Sequence, residues 1–123
     1  MISRVTVILS TAALLSIAPA AMAQNAPPTY QADPSVYKVL FEDANFRVIA
    51  ATWKAGQTDK PHSHPASIVY SVNDCTLKLT AADGKTTTVT PKTGGANAVP
   101  VTASHTAENT GSGECRAIFV ERK

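Results

Sequence analysis

Two stretches of this chain alternate with a period of two, and that period constrains the fold more than any other property of the sequence. In the first, His62, His64, Ala66, Ile68, Tyr70 and Val72 fall on one side, and Ser63, Pro65, Ser67, Val69, Ser71 and Asn73 on the other. In the second, Val99, Val101, Ala103, His105, Ala107 and Asn109 oppose Pro100, Thr102, Ser104, Thr106, Glu108 and Thr110. Successive side chains of an extended chain point to opposite faces, so a mostly apolar set on one side marks a strand with that side buried. Short apolar and β-branched runs predict strands at Val36–Phe41, Phe46–Lys54, Ser63–Val72, Thr76–Thr80, Thr86–Thr90, Val99–Asn109 and Cys115–Glu121. Turn residues separate them at Ala55-Gly56, Asn73-Asp74, Asp83-Gly84, Gly94-Gly95 and Gly111-Ser112-Gly113. No stretch after residue 23 sustains a helical period for long enough to form a substantial helix, so the expected fold is all-β, a sandwich or barrel.

The N-terminal residues follow a different logic. One positive charge in Met1–Arg4 precedes an apolar run from Val5 to Ile17 and a small-residue stretch ending Ala21-Met22-Ala23. That layout predicts a signal peptide, residues 1–23, cleaved after Ala23, because the run falls short of the ~20 residues that span a bilayer. The expected location is periplasmic or secreted, with no membrane attachment after cleavage. Residues 24–34 hold Pro27, Pro28 and Pro34 with little to bury, and are expected to form a flexible lead-in to a single domain, residues 35–123. Beyond residue 23 there are ten basic and nine acidic side chains, a balance that gives no reason to expect a nucleic-acid partner.

Alternation turns the chain's three histidines inward. A buried imidazole without hydrogen-bond partners is costly, so three of them ask for a common explanation. His62 and His64 lie two residues apart on one strand, with Cα atoms ~6.6 Å apart and side chains on the same side, so both could reach one ion. His105, from a distant strand, would supply a third nitrogen and leave an open coordination position. A lone His-x-His is a weak signal, and His105 alone could equally be a core histidine bonded to a carbonyl.

The residues around these histidines resemble the cupin superfamily. The first cupin motif, G-x5-H-x-H followed by Glu three or four residues on, is matched from Gly56 through His62 and His64. The second, G-x5-P-x-G-x2-H-x3-N, is matched by Gly94, Pro100, His105 and Asn109, with Thr102 where the family has Gly. The resemblance implies a double-stranded β-helix, or jelly-roll, barrel with His62, His64 and His105 as ligands of a divalent transition metal: iron, zinc, manganese, nickel or copper. It does not supply the acid. Alternation gives Ile68 the lumen position, and neither Ile68 nor Val69 can coordinate. Glu108 falls on the outer face by parity, and Asp59, in the loop before His62, is the better replacement. The site is therefore expected to be a three-nitrogen one, or a cupin without metal that uses its lumen to bind a small apolar or sugar-like ligand. Ile68, Tyr70 and Asn109 share the inward face and are candidate pocket-lining residues, although Asn109 could instead hold a turn. No catalytic residue follows from the sequence. Chains of this family often pair, so a homodimer is a further expectation.

Cys75 alternates with Leu77 and Leu79, and Cys115 with Ala117 and Phe119, which places both thiols on apolar faces. In an oxidising compartment an even pair is expected to form a disulfide, the alternative being two buried free thiols. Trp53, the only tryptophan, is expected to pack in the core.

Overall fold

The computed structural model describes residues 25–123, so the expected signal segment lies outside the described residues. Among the described residues, nine strands follow one short helix. They are α1 (Thr29–Ala32), β1 (Tyr37–Glu42), β2 (Phe46–Trp53), β3 (His62–His64), β4 (Ser67–Ser71), β5 (Leu77–Ala81), β6 (Thr86–Val89), β7 (Ala96–Val99), β8 (Thr102–Asn109) and β9 (Cys115–Arg122). They form two antiparallel sheets, a five-stranded one in the order β1-β2-β9-β4-β7 and a four-stranded one in the order β3-β8-β5-β6. The architecture is a double-stranded β-helix, as the alternation and motifs implied.

Two predicted strands are each split. Ser63–Val72 becomes β3 and β4, and Val99–Asn109 spans the last residue of β7, whose first three residues lay in no predicted strand, and the whole of β8, with the members of each pair in different sheets. The two breaks face each other. β3 pairs with β8 and β4 with β7, so a single two-stranded ribbon bends from one sheet into the other. Pro65 and Pro100 sit at the bend on the two chains, where a residue without an N–H costs no ladder bond. The bend also inverts the alternation. His64 is buried before it, and Ser67, rather than Ala66 or Ile68, is buried after it.

Ile68 and Tyr70 are therefore not pocket-lining residues. They are 48% and 46% exposed on the outer face, and Val69 takes the lumen position that unbroken alternation gave to Ile68. Val101 is 73% exposed between β7 and β8 for the same reason, and Ala103 is exposed too.

The lead-in is seated rather than flexible. Ser63 N–H donates to Pro27 O at 2.8 Å and Ser63 Oγ to Ala26 O at 2.5 Å, while Ala26 N–H donates to Ala103 O at 3.0 Å. Proline removes a donor but keeps its carbonyl, and these carbonyls serve the free edge of β3. The segment ends with Thr29 and Asp33 buried, Asp33 accepting Lys60 N–H at 3.2 Å.

Inward residues of the two sheets make one core. Trp53, Ile49, Ala51, Cys115 and Ala117 come from the larger sheet, Leu77 and Ala107 from the smaller. Cys75 and Cys115 are joined by a disulfide, with Cα atoms 5.3 Å apart, that ties the entrance of β5 to the start of β9 and so links the sheets.

Candidate functional site

The barrel encloses a cavity of about 410 Å³, walled by apolar side chains such as Val69, Leu77, Leu79, Val89 and Phe119, with His62, His64 and His105 on one side. The ladder explains how the histidines meet. His62 lies opposite His105 across the β3–β8 pair, and His64 lies opposite Thr102 after a bulge. The ring centroids are 4.5 Å apart for His62 and His105, 5.0 Å for His64 and His105, and 6.2 Å for His62 and His64. Three imidazoles sharing an ion at ~2.1 Å would have centroids roughly 4.5–5.2 Å apart. Two of the three spacings match and the third is wide; among the described residues no three His, Cys, Asp or Glu side chains stand in ready coordination geometry.

Each β3 histidine has one nitrogen already committed. His62 Nδ1 lies 3.0 Å from Lys60 O, and His64 Nδ1 lies 3.0 Å from Pro65 O. A carbonyl can only accept, so both Nδ1 atoms carry the proton and both Nε2 atoms keep a bare lone pair. Tyr37 Oη lies 3.4 Å from His62 Nε2. That phenol has one proton, and it donates it to Asp59 Oδ2 at 2.6 Å. His62 Nε2 thus has a long contact to a phenol whose proton is shared with Asp59, on a side chain that is 2% exposed.

Asp59 organises this corner. Its carboxylate accepts Ala107 N–H at 2.7 Å, Trp53 Nε1–H at 3.0 Å and the Tyr37 hydroxyl, and its Oδ1 lies 3.6 Å from His62 Nδ1. The acid considered as a replacement ligand therefore stands behind His62, on the Nδ1 side, and reaches the ring's other edge through Tyr37. Tyr37 and Trp53 act with it. Burial, and then the adjacent carboxylate, hold the Tyr37 phenol well above its usual range, so it stays protonated. Tyr37 was hidden from the sequence because nothing in Val36–Phe41 says which residue meets the histidines.

Burial favours the neutral form of His62 and His105. Burial, followed by the proximity of His62 and His64, pushes His105 down to about 4. Burial also lowers His62, opposed in part by Asp59. Glu121 is a second buried carboxylate, on the inner face of β9, with Arg47 Nη1 at 3.5 Å. Burial pushes its pKa up while Arg47 and then His64 draw it back. The alternation that turned Cys115, Ala117 and Phe119 inward reaches Glu121 if carried two residues further.

The remaining sequence candidates separate clearly. Asn109 is buried but does not line the cavity. Its amide nitrogen is 2.8 Å from Gly113 O and 3.1 Å from Trp53 O, and its Oδ1 accepts Gly111 N–H at 3.0 Å, so it holds the turn between β8 and β9. Glu108 points outward and pairs with Lys78 at 2.5 Å. The two motif glycines, Gly56 and Gly94, have φ of 75° and 77°, a left-handed backbone that favours glycine.

Residues 50–121 match the family model described as "Cupin domain". The chain belongs to the cupin family. No curated protein matches it in sequence. Among solved structures it is similar to a cupin domain from Bordetella pertussis Tohama I, at 18% identity and TM-score 0.66 over 83% of this chain and 98% of that one. It is similar to an uncharacterized protein with a double-stranded β-helix domain from Klebsiella pneumoniae, at 19% identity and TM-score 0.57 over 71% and 75%. It is also similar to the polyketide cyclase RemF from Streptomyces resistomycificus, at 21% identity and TM-score 0.53 over 70% and 63%. At these identities the likeness is one of fold. The matched family region begins at residue 50, so the seated N-terminal segment and β1, which carries Tyr37, lie before it.

Proposed function

We propose that this cupin holds one divalent transition metal on His62, His64 and His105, at the head of an apolar cavity that admits a small uncharged molecule. The observation that carries the reading is the meeting of three imidazoles on one side of the cavity, with His62 and His64 each held at Nδ1 by a backbone carbonyl. The Nε2 lone pairs this leaves beside His105 are satisfied by a cation. Three neutral nitrogens suit iron, zinc, manganese, nickel or copper, and leave the ion its full charge. Bound there, the metal would supply Lewis acidity, or redox chemistry if it is iron, manganese or copper, to a molecule in the cavity. Export to the periplasm or beyond is part of the proposal, supported by the disulfide.

A second reading is a metal-free module that binds a small apolar molecule, favoured by Val69 at the lumen position where a cupin acid would stand. Metal analysis of untagged protein, after reloading with each of the five ions, separates the two. The first reading expects near-stoichiometric metal that His62→Ala and His105→Ala each abolish and Glu108→Ala leaves intact. No retained ion at substantial occupancy, or binding that survives His105→Ala, overturns it.

A further inference from the structure

The cavity wall is polar in places other than the histidines. Tyr37 and Trp53 line it, but both direct their donors to Asp59. Arg116 lies between the inward Cys115 and Ala117, so alternation turns it outward, where its guanidinium stands beside Glu114. Ser71 is different. It is 3% exposed, its backbone N–H and C=O are bonded to Gly95 O and Gly94 N, and no described residue meets its hydroxyl. Among the described residues Thr29 Oγ1 is the one side-chain polar atom both sealed in and unpaired. The unpaired Ser71 hydroxyl is therefore not sealed in, and the space beside it is the cavity. A buried hydroxyl without a partner is costly, and Ala117, opposite Ser71 in register, shows what packing alone places on this face.

We propose that Ser71 and Asn97 form a second polar subsite, which takes the hydroxyl or carboxamide end of an uncharged, apolar-bodied molecule whose other end lies at the histidines. This rests on the reading of the cavity as the site of a small uncharged molecule. The ladder brings the two side chains together. Asn97 pairs with Val69, two residues before Ser71 on β4, so Asn97 and Ser71 are diagonal neighbours on one face. Cα atoms so placed are ~7–8 Å apart, within reach of one group held between the two side chains. Val69 lines the cavity, which makes that face the inward one. β7 is the last strand of its sheet, so Asn97 stands exposed at the open edge while Ser71 lies deeper.

The two polar ends are a strand's length apart. β4 leaves the bend that follows His64 and advances ~13 Å from Ser67 to Ser71 at ~3.3 Å per residue. An occupant that touches both ends is therefore elongated, with an apolar middle to match the wall. The chemistry of the pair narrows the class further. A hydroxyl and a primary amide each donate and accept, so they suit a group that does both. Neither is charged, so a carboxylate placed there would keep a full charge against an apolar wall.

Matched probes test this in protein freed of metal by a chelator, where a probe hydroxyl at the far end can donate to an imidazole Nε2. The probes are 1-alkanols, the corresponding α,ω-diols and the corresponding ω-hydroxycarboxylates, over a range of chain lengths. Binding is followed by calorimetry and by the fluorescence of Trp53, which lines the cavity. The ratio of diol to alkanol affinity is expected to peak at one chain length. There it should fall about tenfold in Ser71→Ala and in Asn97→Leu while alkanol binding holds, and the carboxylate should bind more weakly than the diol. A ratio that neither substitution moves, or a carboxylate that binds as tightly as the diol, overturns the subsite and leaves the cavity reading standing. Failure of every probe to bind overturns both. Asn97→Leu, at the exposed edge, keeps the test decisive where Ser71→Ala fails to fold.

Discussion

The five-stranded sheet supplies Tyr37, Ile49, Ala51, Trp53, Cys115 and Ala117 to the core; the four-stranded sheet supplies Leu77, Ala107 and all three histidines. One sheet is built mainly for burial; the other carries the imidazoles, two of which, His62 and His105, burial holds toward the neutral form. The difference teaches that stability and site chemistry in this barrel rest largely on separate sheets, joined at Asp59, whose carboxylate takes donors from both. Substitutions on the two sheets should therefore separate two readouts, unfolding free energy and metal occupancy.

The largest expected effect is Trp53→Ala on the burial side, which empties a fully buried site and strips Asp59 of a donor. It should cost ~3–5 kcal/mol in denaturant unfolding. Next is the paired Cys75→Ser, Cys115→Ser variant. The disulfide closes a loop of sequence separation 40, and its loss should cost ~4 kcal/mol on the chain-entropy model. A cost below ~1 kcal/mol in either variant would break the contrast between the sheets.

The third prediction concerns pH. His105 titrates at about 4 in the folded protein and near 6.5 when unfolded, so between those values the unfolded chain binds the extra proton. The metal-free protein should lose stability as pH falls from 6.5 toward 4, by up to ~3 kcal/mol from this residue, with the loss levelling off below. His105→Leu should flatten that slope in denaturant titrations at several pH values; an unchanged slope would place its origin elsewhere. Asp59→Asn comes fourth. It turns an amide N–H₂ toward groups that donate, and loosens the ring of His62, so metal affinity should drop ~10–100-fold by titration calorimetry. The smallest effect is Glu108→Ala on the polar outer face, expected within ~0.5 kcal/mol by thermal unfolding.

Period-two alternation made the all-β class legible, and the spacing of Gly56, His62, His64, Gly94, Pro100 and His105 made the family legible. What alternation could not carry was its own phase through a bend. Pro65 and Pro100 each mark the place where a strand leaves its sheet, and one skipped residue there moves Ile68, Tyr70 and Val101 from lumen to surface. The seating of Ala26 and Pro27 was hidden for a different reason. Their contribution is made by backbone carbonyls, which every residue has and no composition reveals. Tyr37 and Asp59 belong to the site through tertiary contacts across 22 residues of chain, a relation with no period at all.

The pairing of His62 with His105 across β3 and β8 also sets an order of events. His62 and His64 are neighbours in the unfolded chain, but His105 joins them only when about forty residues of intervening chain have folded back. Contacts of that separation form late, on the slow timescale of non-local β topologies. Before closure the chain offers an ion two flexible nitrogens, and only afterwards three fixed ones. On the proposed function, metal selection would be a question of where the chain is when its barrel shuts, and of which ions that compartment contains at that moment.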